Sequence, residues 1–144
     1  MSNDLCGIRT WMQAELARQG LSDWTFVYDD ARTRAGCCMY DRRQISMSRR
    51  FAAACPMDAV RDIAMHELAH ALLPGEGHSR RWRDLAVSLG SRGTREHYYV
   101  FSRPQVLATC RCMTIAVWRH RVSRKLRTTP CPRCGCLPLV RKLP

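Results

Sequence analysis

The chain has 144 residues, 46% hydrophobic and 25% charged, which suits one ordinary domain or a compact domain with a small appendage and excludes a large multidomain machine or wholesale disorder. Its formal net charge of +12 is unevenly placed: residues 1–90 carry twelve arginines against eleven acids, and residues 91–144 carry twelve cations against the single acid Glu96. No apolar run approaches the ~20 residues that cross a bilayer, Asp4 and Arg9 interrupt the stretch that an export signal would need, and nine cysteines is an odd count; a cytoplasmic, non-secreted chain with thiols or metal ligands rather than disulfides is therefore expected.

In chain order, Leu5, Ile8, Met12 and Leu16 recur at steps of three and four with Gly20 as a stop, which predicts an amphipathic first helix. Trp24, Phe26 and Tyr28 alternate as in a half-buried strand, and Gly36 to Tyr40 and Gln44 to Ser48 read as two more strands joined by a tight turn at Asp41 to Arg43. Together these predict a small antiparallel sheet. Pro56 opens a second helix whose Ala59, Val60, Ile63 and Ala64 are apolar at helical spacing, and Pro74 and Gly75 close it after Leu73. Ser79 is a candidate N-cap for a third helix with Trp82, Leu85, Ala86 and Leu89 on one face and Gly90 as its C-cap. The expected organisation is a first domain over 1–90, a connector over 91–107 and a basic, cysteine-bearing segment over 108–144.

The second helix carries His66, Glu67, Leu68, Ala69 and His70, the pattern HExxH. Residues four apart project from one helix face, so both imidazoles reach one zinc ion and Glu67 stays free to take a proton. Zinc lowers the pKa of bound water to about 7 and polarises a carbonyl, which with a carboxylate base is peptide hydrolysis. A catalytic zinc needs a third protein ligand. His78, separated from His70 by seven residues and flanked by Gly77, is the first candidate, with Glu76 in reserve and Asp84 a further possibility. His97, in an alternating stretch with Tyr98, Tyr99 and Phe101, reads as packing before catalysis, a transition-state donor role for His97 or Tyr98 being the alternative.

Cys110, Cys112, Cys131 and Cys134 form two pairs with 18 residues between them, a spacing that reads as a zinc ribbon with a structural zinc and no open coordination position. The tight first pair fits alternate residues of an extended strand, which face one way. Cys136 and His120 are substitutes for a ligand; Cys6, Cys37, Cys38 and Cys55 are core or incidental thiols. Between the pairs, Arg119, Arg121, Arg124, Lys125 and Arg127 surround His120 and Trp118 without one acid. Arginine pairs with phosphate through its planar fork, so these residues are candidate nucleic-acid contacts, a solubilising basic face being the plain alternative. Trp118 either stacks on an unpaired base or fills the hairpin core, and the core reading is preferred.

The segments HELAHALLPGEGHSRRW, TREHYYVF, ATCRC, VWRHRV and CPRCGCLPLV, preceded by AGCCMYDRRQISMSRRF, resemble the SprT-like (Spartan-type) zinc metallopeptidases. The resemblance implies that His66, His70 and His78 are zinc ligands, that Glu67 is the general base, and that the cysteine pairs form a ribbon beside the catalytic domain. It also implies the task of cleaving proteins bound or crosslinked to DNA. Ser79, where many members have glycine, and the extra Cys136 depart from the pattern.

The sequence thus predicts an α+β minimal zincin with a C-terminal zinc ribbon, one catalytic and one structural Zn2+, and a monomeric zinc endopeptidase acting on proteins held on single-stranded or distorted DNA, without a membrane. Two rivals stand beside it: a non-catalytic zinc-ribbon protein that binds nucleic acid, and a general or self-processing zinc peptidase with no dependence on DNA. An intact Glu67 argues against the first, because only catalysis needs that carboxylate.

Overall fold

The computed structural model describes residues 2–114 and 116–144. The chain divides into two compact units, Met1–Phe101 and Ser102–Pro144, so the cut falls inside the expected connector. Among the described residues no helix is long and apolar enough to cross a membrane.

The first unit is a mixed α+β fold. Helix α1 (Leu5–Arg18) starts where the Asp4 carboxylate accepts the Cys6 N–H at 3.0 Å, and it buries Ile8, Met12 and Leu16. Strands β1 (Thr25–Asp29), β2 (Gly36–Met39) and β3 (Gln44–Ser48) form one sheet in the order β1-β3-β2. β2 and β3 are an antiparallel hairpin with Cys38 opposite Ile45, but β1 runs parallel to β3 with Phe26 opposite Ile45. The expected all-antiparallel sheet is therefore wrong and the sheet is mixed. Residues 30–35 carry the chain past the β3 position so that β3 returns into the centre. Alternation along a strand tells which face is buried and not which strand it pairs with. The β2–β3 turn is a 3-10 turn at Tyr40–Arg42, released by Arg43 in the left-handed region at φ 47°.

A short helix that periodicity did not announce, α2 (Arg49–Ala54), follows β3 directly, with the Ser48 hydroxyl capping the Phe51 N–H. Helix α3 (Met57–Leu72) is buried on nearly every side, from Ala59 to Ala71, as a helix must be when flanked by sheet and helices together. Its core contacts join Met12, Leu16, Phe26, Ile45, Met47 and Phe51 into one cluster. Helix α4 (Arg80–Leu89) is capped by Ser79, which accepts the Trp82 N–H at 3.2 Å, and ends at Gly90 with φ 100°. Residues 91–101 belong to this unit: Ser91 and Arg92 are tied to buried Asp62, and Tyr99 and Phe101 pack on Phe51 at 5.3 Å between ring centroids.

The second unit is a three-stranded antiparallel sheet, β4 (Val106–Thr109), β5 (Ala116–Arg119) and β6 (Leu139–Lys142), in the order β5-β4-β6, with a five-residue helix α5 (Arg124–Thr128) capped by Ser123. Among the described residues its buried apolar side chains are few: Val106, Ala108, Cys110 and Cys131. So small a core leaves much of the stabilisation to be supplied by something else, and a metal cross-link is the usual device.

Candidate metal centres and basic surface

Helix α3 sets the geometry of the first site. His66 and His70 lie one turn apart on the face toward α4, and the Pro74–Gly77 loop, with Gly75 and Gly77 both at positive φ, returns the chain so that His78 arrives beside them. The three Nε2 atoms converge: His66 to His70 at 3.3 Å, His70 to His78 at 3.2 Å, and His78 to His66 at 3.2 Å. Ligand nitrogens about 2.0–2.1 Å from one tetrahedral zinc are themselves about 3.3 Å apart, so the triangle fits that ion. Three ring nitrogens facing one point cannot all be satisfied by bonding one another, which is the donor set of a cation site. Burial pushes His66 down to about 3, with His97, His70 and His78 adding to the effect, and pushes His70 down to about 4. His78 is lowered as well, burial first and then Arg95. Neutral imidazoles are the form that binds a metal.

Glu76 and Asp84 stand outside the triangle. Glu76 accepts from the Ser79 hydroxyl at 2.8 Å and pairs with Arg81 at 3.4 Å, which makes it a brace for the start of α4, and Asp84 is exposed on α4. Glu67 is 8% exposed and points toward β2, where the Cys38 N–H bonds it and Gly36 leaves it room. Burial raises its carboxyl to about 7 against the opposing pull of Arg34 and of that N–H.

Three residues matter here that sequence spacing did not single out for the site. Trp82, 1% exposed, packs against all three histidines, with centroids 4.7, 4.9 and 4.6 Å from His66, His70 and His78. It was legible as an apolar position on α4 but not as the platform under the ligands. His97 sets its Nε2 3.1 Å from His66 Nδ1, and Asp62 lies behind it, with Oδ2 3.6 Å from His97 Nδ1. The packing assigned to His97 is present, since its ring stacks on Tyr99 at 12°, but the ring also reaches a candidate ligand.

The second site is in Ser102–Pro144. The Sγ atoms of Cys110, Cys112, Cys131 and Cys134 all lie within 4.8 Å of one another and form a set able to hold a metal ion. Cys110 and Cys112 are 3.1 Å apart and Cys112 and Cys131 3.8 Å; thiolates 2.3 Å from one tetrahedral zinc are about 3.8 Å apart. The expected strand geometry for the first pair does not hold: Cys112 sits in the turn after β4, where the Met113 N–H bonds the Cys110 carbonyl and Met113 is left-handed at φ 56°. The second pair is held by a knuckle in which the Gly135 N–H bonds the Cys131 carbonyl at 2.8 Å. Hydrogen bonding with Thr114, then with Cys110, brings the Cys112 thiol down to about 6, toward the thiolate that a metal needs. Cys136 and His120 are not in the set.

Arg119, Arg121, Arg124, Lys125 and Arg127 are all exposed, and none has a carboxylate partner among the described residues. Trp118 is 54% exposed, which overturns the preferred reading of it as hairpin core: β5 is an edge strand, and its alternation places Trp118 outside.

No curated protein and no solved structure matches the chain. The model of the SprT-like family matches residues 10–101. That range ends where the first unit ends and takes in His66, Glu67, His70, His78 and His97, while the cysteine cluster lies beyond it. The match covers more than half of the 144 residues, and the chain belongs to the SprT-like family.

Proposed function

We propose that the chain is a zinc-dependent endopeptidase, a minimal zincin-like domain followed by a zinc ribbon, that cleaves proteins bound or crosslinked to DNA. The observation that carries this reading is the convergence of the three histidine Nε2 atoms to 3.2–3.3 Å, with helix α3 also carrying the buried Glu67 between the first two in sequence. His66, His70 and His78 would hold the ion, and zinc held there supplies the Lewis acidity that peptide hydrolysis uses. Glu67 takes the proton of the attacking water and returns it to the departing amine. A carboxyl raised to about 7 can do both near neutral pH. A purely structural site has no use for a buried, raised carboxyl, which costs stability wherever it is ionised.

Cys110, Cys112, Cys131 and Cys134 hold a second zinc in this reading, and four thiolates leave it no open position. Residues 102–144 carry ten cations and no acid, and the exposed face of Trp118 offers a stacking platform for an unpaired base. These features support single-stranded or distorted DNA as the partner of a monomer.

The test is proteolysis of a DNA-bound basic protein with and without single-stranded DNA, beside Glu67→Gln. Wild type should cleave faster with the DNA. Glu67→Gln should keep its zinc and its melting behaviour while losing about 10²–10⁴-fold in rate. Cleavage indifferent to DNA would leave a general zinc peptidase, and a Glu67→Gln variant as active as wild type would remove Glu67 as the base.

A further inference from the structure

The unit Met1–Phe101 buries one carboxylate that the proposed hydrolysis does not use. Asp62 lies one turn before His66 on α3 and its side chain is 4% exposed. Its Oδ1 accepts two hydrogen bonds, from the Ser91 hydroxyl at 2.8 Å and the Arg92 N–H at 2.7 Å, so the chain leaving α4 is pinned there. Its Oδ2 is buried and has no hydrogen-bond partner among the described residues. The groups nearest to that oxygen are His97 Nδ1 at 3.6 Å and Arg92 Nε at 3.7 Å. An orphaned buried carboxylate oxygen costs more than a lost hydrogen bond, so its direction needs a reason.

The protons on the two rings supply one. His66 turns Nε2 toward His70 and His78; to bind a cation that nitrogen must present a lone pair, and the neutral ring then carries its proton on Nδ1. His66 Nδ1 is 3.1 Å from His97 Nε2, which must accept. His97 in turn carries its proton on Nδ1, the atom that faces Asp62 Oδ2. Every donor meets an acceptor only when the negative end is Asp62 and the cation end is the histidine triangle. The 3.6 Å separation is beyond a hydrogen bond, and a ring shift of about 0.5 Å closes it.

We propose that Asp62 and His97 form a relay that positions His66 as a metal ligand, with Asp62 fixing the tautomer of His97 and His97 fixing the tautomer and ring angle of His66. This rests on the zinc site proposed above. Metal-bound histidines commonly give their other N–H to a carboxylate or a carbonyl; here an imidazole stands between, because Asp62, one turn back on the same helix, is reached only through the ring that residues 91–101 bring in. His97 is a positioning residue, and Asp62 is one behind it.

Zinc affinity of the full chain, measured by competition with a chromophoric chelator, tests the relay, and the cysteine-bound zinc serves as internal reference. Asp62→Asn keeps the shape of the side chain but offers an N–H where His97 needs an acceptor. Asp62→Asn and His97→Phe should each weaken the histidine site about 10–100-fold and leave the cysteine site unchanged. His97→Gln, whose side-chain oxygen can accept from His66, should recover part of the loss; a merely structural His97 would give Gln no advantage over Phe. Long-range ¹⁵N correlation spectra of the zinc-loaded wild type need no variant at all and should show both His66 and His97 protonated on Nδ1. His97 protonated on Nε2, or zinc affinity unchanged in both Asp62→Asn and His97→Phe, overturns the relay and leaves the zinc site standing. A wild-type chain whose zinc content is indifferent to His66→Ala overturns both.

Discussion

At the scale of single residues the site is a set of groups held away from their ordinary protonation, and the chelated chain should reveal this in its stability. His66 at about 3 and His70 at about 4 compare with 6.5 for the unperturbed ring. As pH falls from 6.5 toward about 4, the unfolded chain takes up protons that these folded rings refuse, so stability is lost on the acid side. Glu67 works in the opposite sense. Its folded value of about 7 lies above 4.5, so the folded chain keeps a proton that the unfolded chain has released, and stability falls as pH rises through that window. Two lowered rings against one raised carboxyl leave a net gain from 4.5 to 6.5, so the melting temperature of the chelated chain should rise across that window, more gently than the rings alone would make it. Glu67→Gln should steepen that rise. An equal slope in the variant would assign the opposing proton to another group. Little of this was readable from spacing. The i, i+4 pair and His78 were, because a helical turn and a Gly-flanked loop are local features. The contact of His97 with His66 joins residues 31 apart in sequence and has no local signature.

Among the elements, α1, α3 and α4 were legible because each carries an apolar stripe and an end signal, Ser79 and Gly90 being the clearest. α2 was not, since six residues are too few to display a period. Strand existence was legible and strand pairing was not: the same alternation in Phe26 and Tyr28 serves a parallel or an antiparallel neighbour, and the register of β1 on β3 is decided by where residues 30–35 lead. One consequence of the pairing reaches the site. As the strand on the β2 edge of the sheet, β2 lies against α3 at Gly36, where an added Cβ would stand 2.7 Å from Ile63 Cγ2, 2.8 Å from Glu67 Cγ and 2.9 Å from Glu67 Oε1. Ile63 is fully buried and cannot give way freely. Gly36→Ala should thus cost about 1–3 kcal/mol in unfolding free energy. It should also reduce proteolysis by displacing Glu67, while zinc content stays at the wild-type level. Denaturant midpoints and elemental analysis of the same preparation check both parts, and a variant with wild-type stability would mean that β2 shifts at no cost.

For the whole molecule, two ligand sets in two compact units predict two zinc ions per chain. Cys131→Ser together with Cys134→Ser should bring elemental zinc to one, and His66→Ala with His70→Ala should do the same from the other side; a content unchanged by the cysteine pair would sink the ribbon. The charge follows the same division. Residues 1–101 hold fourteen cations and all twelve acids, and residues 102–144 hold ten cations and no acid, so affinity for DNA should reside in the second unit. Each phosphate neutralised releases condensed counterions, and the logarithm of affinity for a single strand falls with the logarithm of salt by about 0.7 per contact. If Arg119, Arg121, Arg124, Lys125 and Arg127 all face phosphates, replacing the five with glutamine should flatten the slope by about 3.5 and weaken binding to every sequence alike. Trp118→Ala should behave differently, because stacking carries no charge: affinity should drop by about 1–3 kcal/mol with the slope intact. Cleavage of a free unfolded protein should survive both changes, since neither touches the histidine site. A salt titration of the chain, the five-fold variant and Trp118→Ala separates charge from stacking, and a slope that does not change in the five-fold variant would move the DNA contact to another surface.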